Sequence, residues 1–185
     1  HELNDRKNYL KGEPIETIYL GGGTPSQLAK EDFEAIFSHI YKVYKVTPNA
    51  EITLEANPDD LTSEYISMLR TFPFNRISMG IQTFQETTLK QLQRRHTADQ
   101  AIRAFQGCRT AGFQNISIDL MYGLPGETLT SWKKDLKQAL SLHPEHISAY
   151  HLIYEEGTPL WKLREQHKVE EADEDLSVSL FGTLI

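Results

Sequence analysis

Five short runs rich in β-branched and apolar residues recur along the chain: Thr17–Leu20, Ile52–Glu55, Arg76–Met79, Ile116–Leu120 and His146–Tyr150. Their starts lie 35, 24, 40 and 30 residues apart, the spacing of βαβ units. Between them the apolar positions change period. Over Glu31–Val46, the residues Phe33, Ile36, Phe37, Ile40 and Val43 fall at steps of three and four, which predicts a helix. Thr62 is placed to cap a helix over Ser63–Leu69. Thr97-Ala98-Asp99-Gln100 opens another over Ala101–Ala111, which stops at Gly112. A last crossover helix is predicted over Leu129–Leu142, ahead of Pro144. Such alternation predicts an α/β fold with a parallel sheet, either open and doubly wound or curled into a barrel. The pattern covers residues 1–162. Residues 163–185 read as an acidic connector, including Glu165–Asp175, and the start of a further element at Leu176–Ile185.

Composition narrows the classes. Lys and Arg number 19 against 26 Asp and Glu, a net charge of −7, which argues against broad binding to nucleic-acid phosphates. With 39% hydrophobic and 24% charged residues, the chain is globular rather than disordered. No apolar run reaches the length of a membrane span and no signal-peptide pattern opens the chain, so a cytoplasmic setting is expected. The single cysteine, Cys108, permits no internal disulfide and no multi-thiolate metal site from these residues alone. The opening stretch is polar helical text without an initiator Met, which reads as the inside of a longer protein.

In either parallel architecture, function gathers at the carboxyl ends of the strands. After the first run stands Gly21-Gly22-Gly23-Thr24-Pro25-Ser26, where backbone N–H groups can approach a ligand closely or simply make a tight turn. It is neither a Walker A loop nor a G-x-G-x-x-G fingerprint. The second run ends in Glu55, the third leads to Gln82, and the fourth carries Asp119 among apolar neighbours. Each has a plain structural alternative, a helix cap or an arginine partner. Together they supply donors and acceptors for an amino acid and a ribose without a nucleophile–base pair, which is the chemistry of a binding cradle. An unrelated phosphate-binding α/β enzyme built on the glycine turn is a further reading, weakened by the lack of a nearby Lys or catalytic His.

Four blocks carry a resemblance: Ile18-Tyr19-Leu20-Gly21-Gly22-Gly23-Thr24-Pro25-Ser26, Glu51-Ile52-Thr53-Leu54-Glu55-Ala56-Asn57-Pro58, Arg76-Ile77-Ser78-Met79-Gly80-Ile81-Gln82-Thr83-Phe84, and Asp119-Leu120-Met121-Tyr122-Gly123-Leu124-Pro125-Gly126-Glu127-Thr128. In this order the chain resembles the radical S-adenosylmethionine (SAM) proteins of the oxygen-independent coproporphyrinogen III oxidase group, which includes the related haem chaperones. The resemblance implies a partial (β/α)6, TIM-like barrel of parallel strands, of which this chain supplies about strands two to six. It implies that Gly22, Gly23, Thr24 and Glu55 hold the methionyl amino group. Arg94 (or its neighbour Arg95) meets the methionyl carboxylate, Gln82 and Asp119 bond the ribose, and Met121 and Ile153 pack against adenine. The chemistry implied is generation of a 5′-deoxyadenosyl radical by a reduced [4Fe–4S] cluster, with flavodoxin or ferredoxin as reductant, for oxidative decarboxylation of a porphyrinogen propionate. The group's C-x3-C-x2-C cluster loop is absent, so these residues alone are expected to be inactive. Tyr150-His151-Leu152-Ile153-Tyr154-Glu155-Glu156-Gly157-Thr158-Pro159-Leu160 resembles the chaperone branch, which implies haem as a ligand. His96, His143, His146 and His151 are then the available axial ligands, each with a packing or surface role as its alternative.

Overall fold

Within each strand the side chains alternate sharply in character, and this decides how the sheet is covered. The computed structural model describes residues 1–185. After a short helix α1 (Glu2–Asp5) come strands β1 (Ile15–Leu20), β2 (Val46–Ala56), β3 (Arg76–Gln82), β4 (Asn115–Tyr122) and β5 (His146–His151). They are all parallel and lie in one sheet in the order β1-β2-β3-β4-β5. The crossovers are α2 (Lys30–Val43), α3 (Ser63–Leu69), α4 (Glu86–Gln91) with α5 (Ala98–Thr110), and α6 (Leu129–Ser141); α7 (Pro159–Glu165) and α8 (Glu174–Leu184) follow. Ile52, Leu54, Ile77, Met79, Ile116, Ile118 and Leu120 join Phe33, Phe37, Ile66, Leu69, Phe105 and Trp132 in one core of 27 buried residues beneath the helices. The opposite face carries Thr53, Glu55, Arg76, Ser78, Ser117 and Asp119. A parallel sheet buried on both sides is apolar on both. This one is a half-barrel with helices outside and a polar inner wall.

The helix caps follow the sequence. Thr62, Thr97 and Thr128 accept from the backbone N–H of Tyr65, Gln100 and Ser131, and Gln100 and Ser131 return the bond in a capping box. The helix predicted over Glu31–Val46 is shorter: it ends at Val43, because Tyr44 turns to an extended backbone (φ −124°, ψ 150°) and Val46 already begins β2. Val46 lies three residues after Val43, a helical step, and an even number of residues before Ala50 and Ile52, a strand step, so it fits either pattern, and no glycine marks the stop. Pro48 sits where β2 bulges between its pairings Ile15↔Val46 and Thr17↔Glu51 and before its pairing with β3 begins, so its missing N–H breaks no ladder. Within residues 163–185, α8 packs on α6: Leu180 is fully buried and its carbonyl accepts from Trp132 Nε1 at 3.0 Å. Arg164 pairs with Glu171 at 2.9 Å and Glu165 at 3.2 Å, drawing the acidic stretch back to the end of α7. No helix is long and apolar enough to cross a membrane.

Candidate functional site

The loop after β1 is shaped around one carboxylate. Gly22 (φ +77°) and Gly23 (φ +62°) turn the backbone through the left-handed region, and the Gly22 N–H donates to Glu55 Oε2 at 2.9 Å. Tyr19, two residues before Gly21 on the inner face, donates its hydroxyl to Glu55 Oε1 at 2.7 Å. Gly21 leaves the room for this: a Cβ there would stand 2.5 Å from the Tyr19 ring and 2.8 Å from Glu55 Cδ. Burial, then the bond and charge of Glu55, push the Tyr19 phenol up to about 12, so it remains a donor across the physiological range. Glu55 is thus held at both oxygens while keeping lone pairs free toward the lumen.

On the opposite side of the cleft, β3 ends in a bulge. Gly80 pairs with Asp119, but Gln82 pairs with Leu120, so Ile81 is the extra residue. Gln82 takes φ +70°, a left-handed backbone uncommon outside glycine, and its amide turns into the cleft. Arg94 Nη2 donates to Asn57 Oδ1 at 2.8 Å and to the Gly80 carbonyl at 2.9 Å. It has no carboxylate partner, and burial lowers its pKa. Arg95 faces away, paired with Asp59 at 2.9 Å and Asp60 at 3.0 Å. Between the two arginines, Arg94 therefore adjoins the cleft. Asp119 accepts from Ser78 Oγ at 3.1 and 3.3 Å, and burial raises its pKa against the smaller lowering effects of Ser78 and Ser148.

These groups enclose a cleft of about 450 Å³ at the carboxyl ends of the strands. Of the residues singled out by sequence, Gly23, Thr24, Glu55, Gln82, Asp119 and Met121 line it. Gly22 contributes through its N–H to Glu55, and Arg94 stands just behind Gly80. Ile153 is not part of the wall: it lies beyond β5, 74% exposed, between the buried Leu152 and Tyr154. Three further residues contribute. Tyr19 reaches Glu55 from beside Gly21, Ser78 stands one strand period before Gly80 of the wall, and Tyr150, 58% exposed, forms the rim on β5 beside Met121.

None of the four histidines lines the cleft. His96 is buried, with Nε2 3.1 Å from the Ile81 carbonyl, and His151 lies between the Leu152 carbonyl at 2.8 Å and Ser177 Oγ at 3.1 Å. His143 is exposed in the α6–β5 turn and His146 at the amino end of β5, opposite the cleft.

With five parallel strands, a glycine turn and convergent polar groups at the strand ends established, known proteins can be set beside the chain. The model of the radical SAM superfamily matches residues 2–139. The chain belongs to this superfamily. Among curated relatives, it is 39% identical over 160 residues to the haem chaperone HemW of Bacillus subtilis and 37% identical over 161 residues to HemW of Escherichia coli. These matches cover 85% of the chain but 42% and 43% of the relatives, so it spans less than half their length. Among solved structures, the radical SAM enzyme coproporphyrinogen III oxidase (HemN) of Escherichia coli superposes with a TM-score of 0.84 at 25% identity, over the whole of this chain and 42% of that one. The archaeal Elp3 of Methanocaldococcus infernus shares the fold, with a TM-score of 0.78 at 20% identity over 97% of this chain and 48% of that one.

A radical SAM protein is expected to carry SAM and an iron–sulfur cluster, and the two fit these residues differently. The cleft suits SAM: it opposes a carboxylate with free lone pairs to an unpaired guanidinium and adds an amide and a second carboxylate. The cluster does not fit. Cys108 is fully buried in α5, beneath the helices and away from the inner wall, and burial pushes its thiol up to about 12. No three His, Cys, Asp or Glu side chains converge to hold a metal ion.

Proposed function

We propose that this chain is the SAM-binding half-barrel of a haem-handling radical SAM protein of the chaperone branch. One observation carries the SAM assignment: a single cleft brings together Glu55, Gln82 and Asp119, with Arg94 at its edge and without a carboxylate partner. The methionyl amino group needs an anion that its neighbours leave partly unsatisfied, which is Glu55. The methionyl carboxylate needs a planar cation, which is Arg94 once it exchanges a carbonyl contact for it. The ribose hydroxyls need acceptors, which Asp119 and the Gln82 carbonyl provide. Met121 and Tyr150 supply the apolar side of the cleft. SAM, when bound and given an electron, supplies reductive scission of a sulfonium bond. A [4Fe–4S] cluster would need three thiolates, and these 185 residues hold one cysteine.

Of the two activities expected from sequence, the chaperone reading has the better support, since identity to proteins named haem chaperones runs from 30% to 39%, against 25% to the oxidase. Calorimetric titration with SAM tests the cleft: saturable binding that weakens about tenfold or more in Glu55→Ala is expected. Binding indifferent to that substitution sinks the assignment. Titrating the full protein with haem, beside an assay for decarboxylation of coproporphyrinogen III, tests the branch. Haem binding without decarboxylation is expected; decarboxylation without haem binding reverses it.

A further inference from the structure

Asp135 lies on α6, fully buried, and its carboxylate is met by hydrogen-bond donors rather than by a cation. Thr83 Oγ1 donates to Oδ2 at 2.5 Å, while the Phe84 N–H and Gln85 Nε2 donate to Oδ1 at 3.1 and 2.8 Å. All three donors come from the three residues that directly follow Gln82. Thr83 Oγ1 in turn accepts from the Gln85 N–H at 3.0 Å, closing the turn on itself. Packing α6 against the sheet does not need this carboxylate, because Trp132 and Ala139, about one turn to either side, are buried in the apolar core. A buried carboxylate is costly unless its oxygens are satisfied, so the donors and the acceptor hold each other in place.

What the clamp restrains is the backbone just upstream. Gln82 persists at φ +70° in spite of its side chain, and a conformation of that kind survives only where its surroundings over-determine it. The bulge at Ile81 fixes it from one side and the Thr83–Gln85 turn from the other. Gln85 is also the residue that opens α4, whose end is followed by Arg94, itself bonded through its N–H to the Leu89 carbonyl at 2.9 Å.

We propose that Asp135 is a positioning residue for the cleft: through Thr83 it holds the turn that keeps Gln82 left-handed with its amide facing the ligand. The inference rests on the reading of the cleft as a SAM site and adds to it a residue 53 positions from Gln82 on the outer layer.

The test is a binding cycle in the full protein with its cluster reconstituted. SAM dissociation constants are measured for Gln82→Ala, Asp135→Asn, the double variant, Thr83→Val and Thr83→Ser, with amide hydrogen exchange at Phe84 as a readout independent of ligand. Asp135→Asn and Thr83→Val are each expected to weaken SAM about tenfold, and Thr83→Ser to stay within about twofold of wild type. In the Gln82→Ala background, Asp135→Asn should cost no more than about a further twofold, because its route of action is already gone. The Phe84 amide should exchange faster in Asp135→Asn. Full additivity in the double variant overturns the proposal, since it marks a general structural role. So does unchanged SAM affinity in Asp135→Asn while Gln82→Ala weakens it, an outcome that leaves the cleft assignment standing. If Gln82→Ala itself binds SAM normally, the role of Gln82 in the cleft fails first and the positioning role falls with it. Should Asp135→Asn not fold, the Thr83→Val and Thr83→Ser pair decides alone.

Discussion

At the scale of single residues, the cleft sets binding against stability. Burial raises the pKa of Asp119, so the folded chain holds its proton to higher pH than an unfolded chain does. The stability this group contributes is present below the unfolded value and is lost as pH rises through the raised one. Asp119→Asn removes the penalty, and the thermal midpoint above neutral pH is expected to rise by about 2–4 °C. SAM affinity should fall in the same variant, because an amide offers one acceptor in place of two. In the wild type, affinity should decline as pH drops through the Asp119 titration, and that limb should vanish in Asp119→Asn. A midpoint that falls, or an affinity limb that persists, counts against the assignment. How far such residues were legible depended on distance along the chain. Glu55, Gln82 and Asp119 stand out because each is polar text beside an apolar run. Tyr19 reads as an ordinary aromatic of β1, and only the register with β2 brings its hydroxyl to Glu55, 36 residues away. Asp135 reads as one more charge on an amphipathic helix, and nothing local marks it as buried.

At the scale of elements, strands and long helices were legible because alternation and the three-to-four step are local properties. The bulge in β3 was not, since a one-residue slip depends on the partner strand. Gly80→Ala tests it: a Cβ there would stand 3.0 Å from the Gln82 amide and 3.7 Å from Arg94 Nη2. The variant should fold with a midpoint near wild type yet bind SAM several-fold more weakly; an unchanged affinity would show that the bulge does not aim these groups. The Gly123–Glu127 loop at the end of β4 gives a pH test. Glu127 accepts from the N–H groups of Gly123 at 2.7 Å and Leu124 at 3.3 Å, and burial pushes its carboxyl from 4.5 up to about 7. Its contribution to stability is complete below about 4.5 and is lost as pH climbs through about 7. Glu127→Gln should therefore gain on wild type in thermal melts as pH is taken from 5 to 8, at a constant ionic strength. Parallel melting curves at both ends of that range would refute the loop's role.

At the scale of the whole molecule, the polar inner wall separates holding a ligand from driving chemistry on it. Supplied anaerobically with iron and sulfide, these 185 residues are expected to take up no stoichiometric cluster, since a lone thiol buried in α5 cannot stand in for three accessible thiolates. A full charge-transfer absorbance, with release of 5′-deoxyadenosine from SAM, would overturn that. The half-barrel was legible as alternating strands and helices, whereas its open inner face became clear only when the polar alternates of every strand fell on one side. One further property of the sheet concerns how it is made. The strands lie across the sheet in the order in which they occur along the chain. On the ribosome, each of β2 to β5 therefore emerges to find its neighbour already laid, and none has to insert between two earlier strands. At ordinary synthesis rates the wait between one strand and the next is about 2–8 s. During that wait the last strand laid is the growing edge, with its hydrogen-bonding groups unclaimed. While that edge waits, it can accept a strand of a second copy as readily as the chain's own next strand.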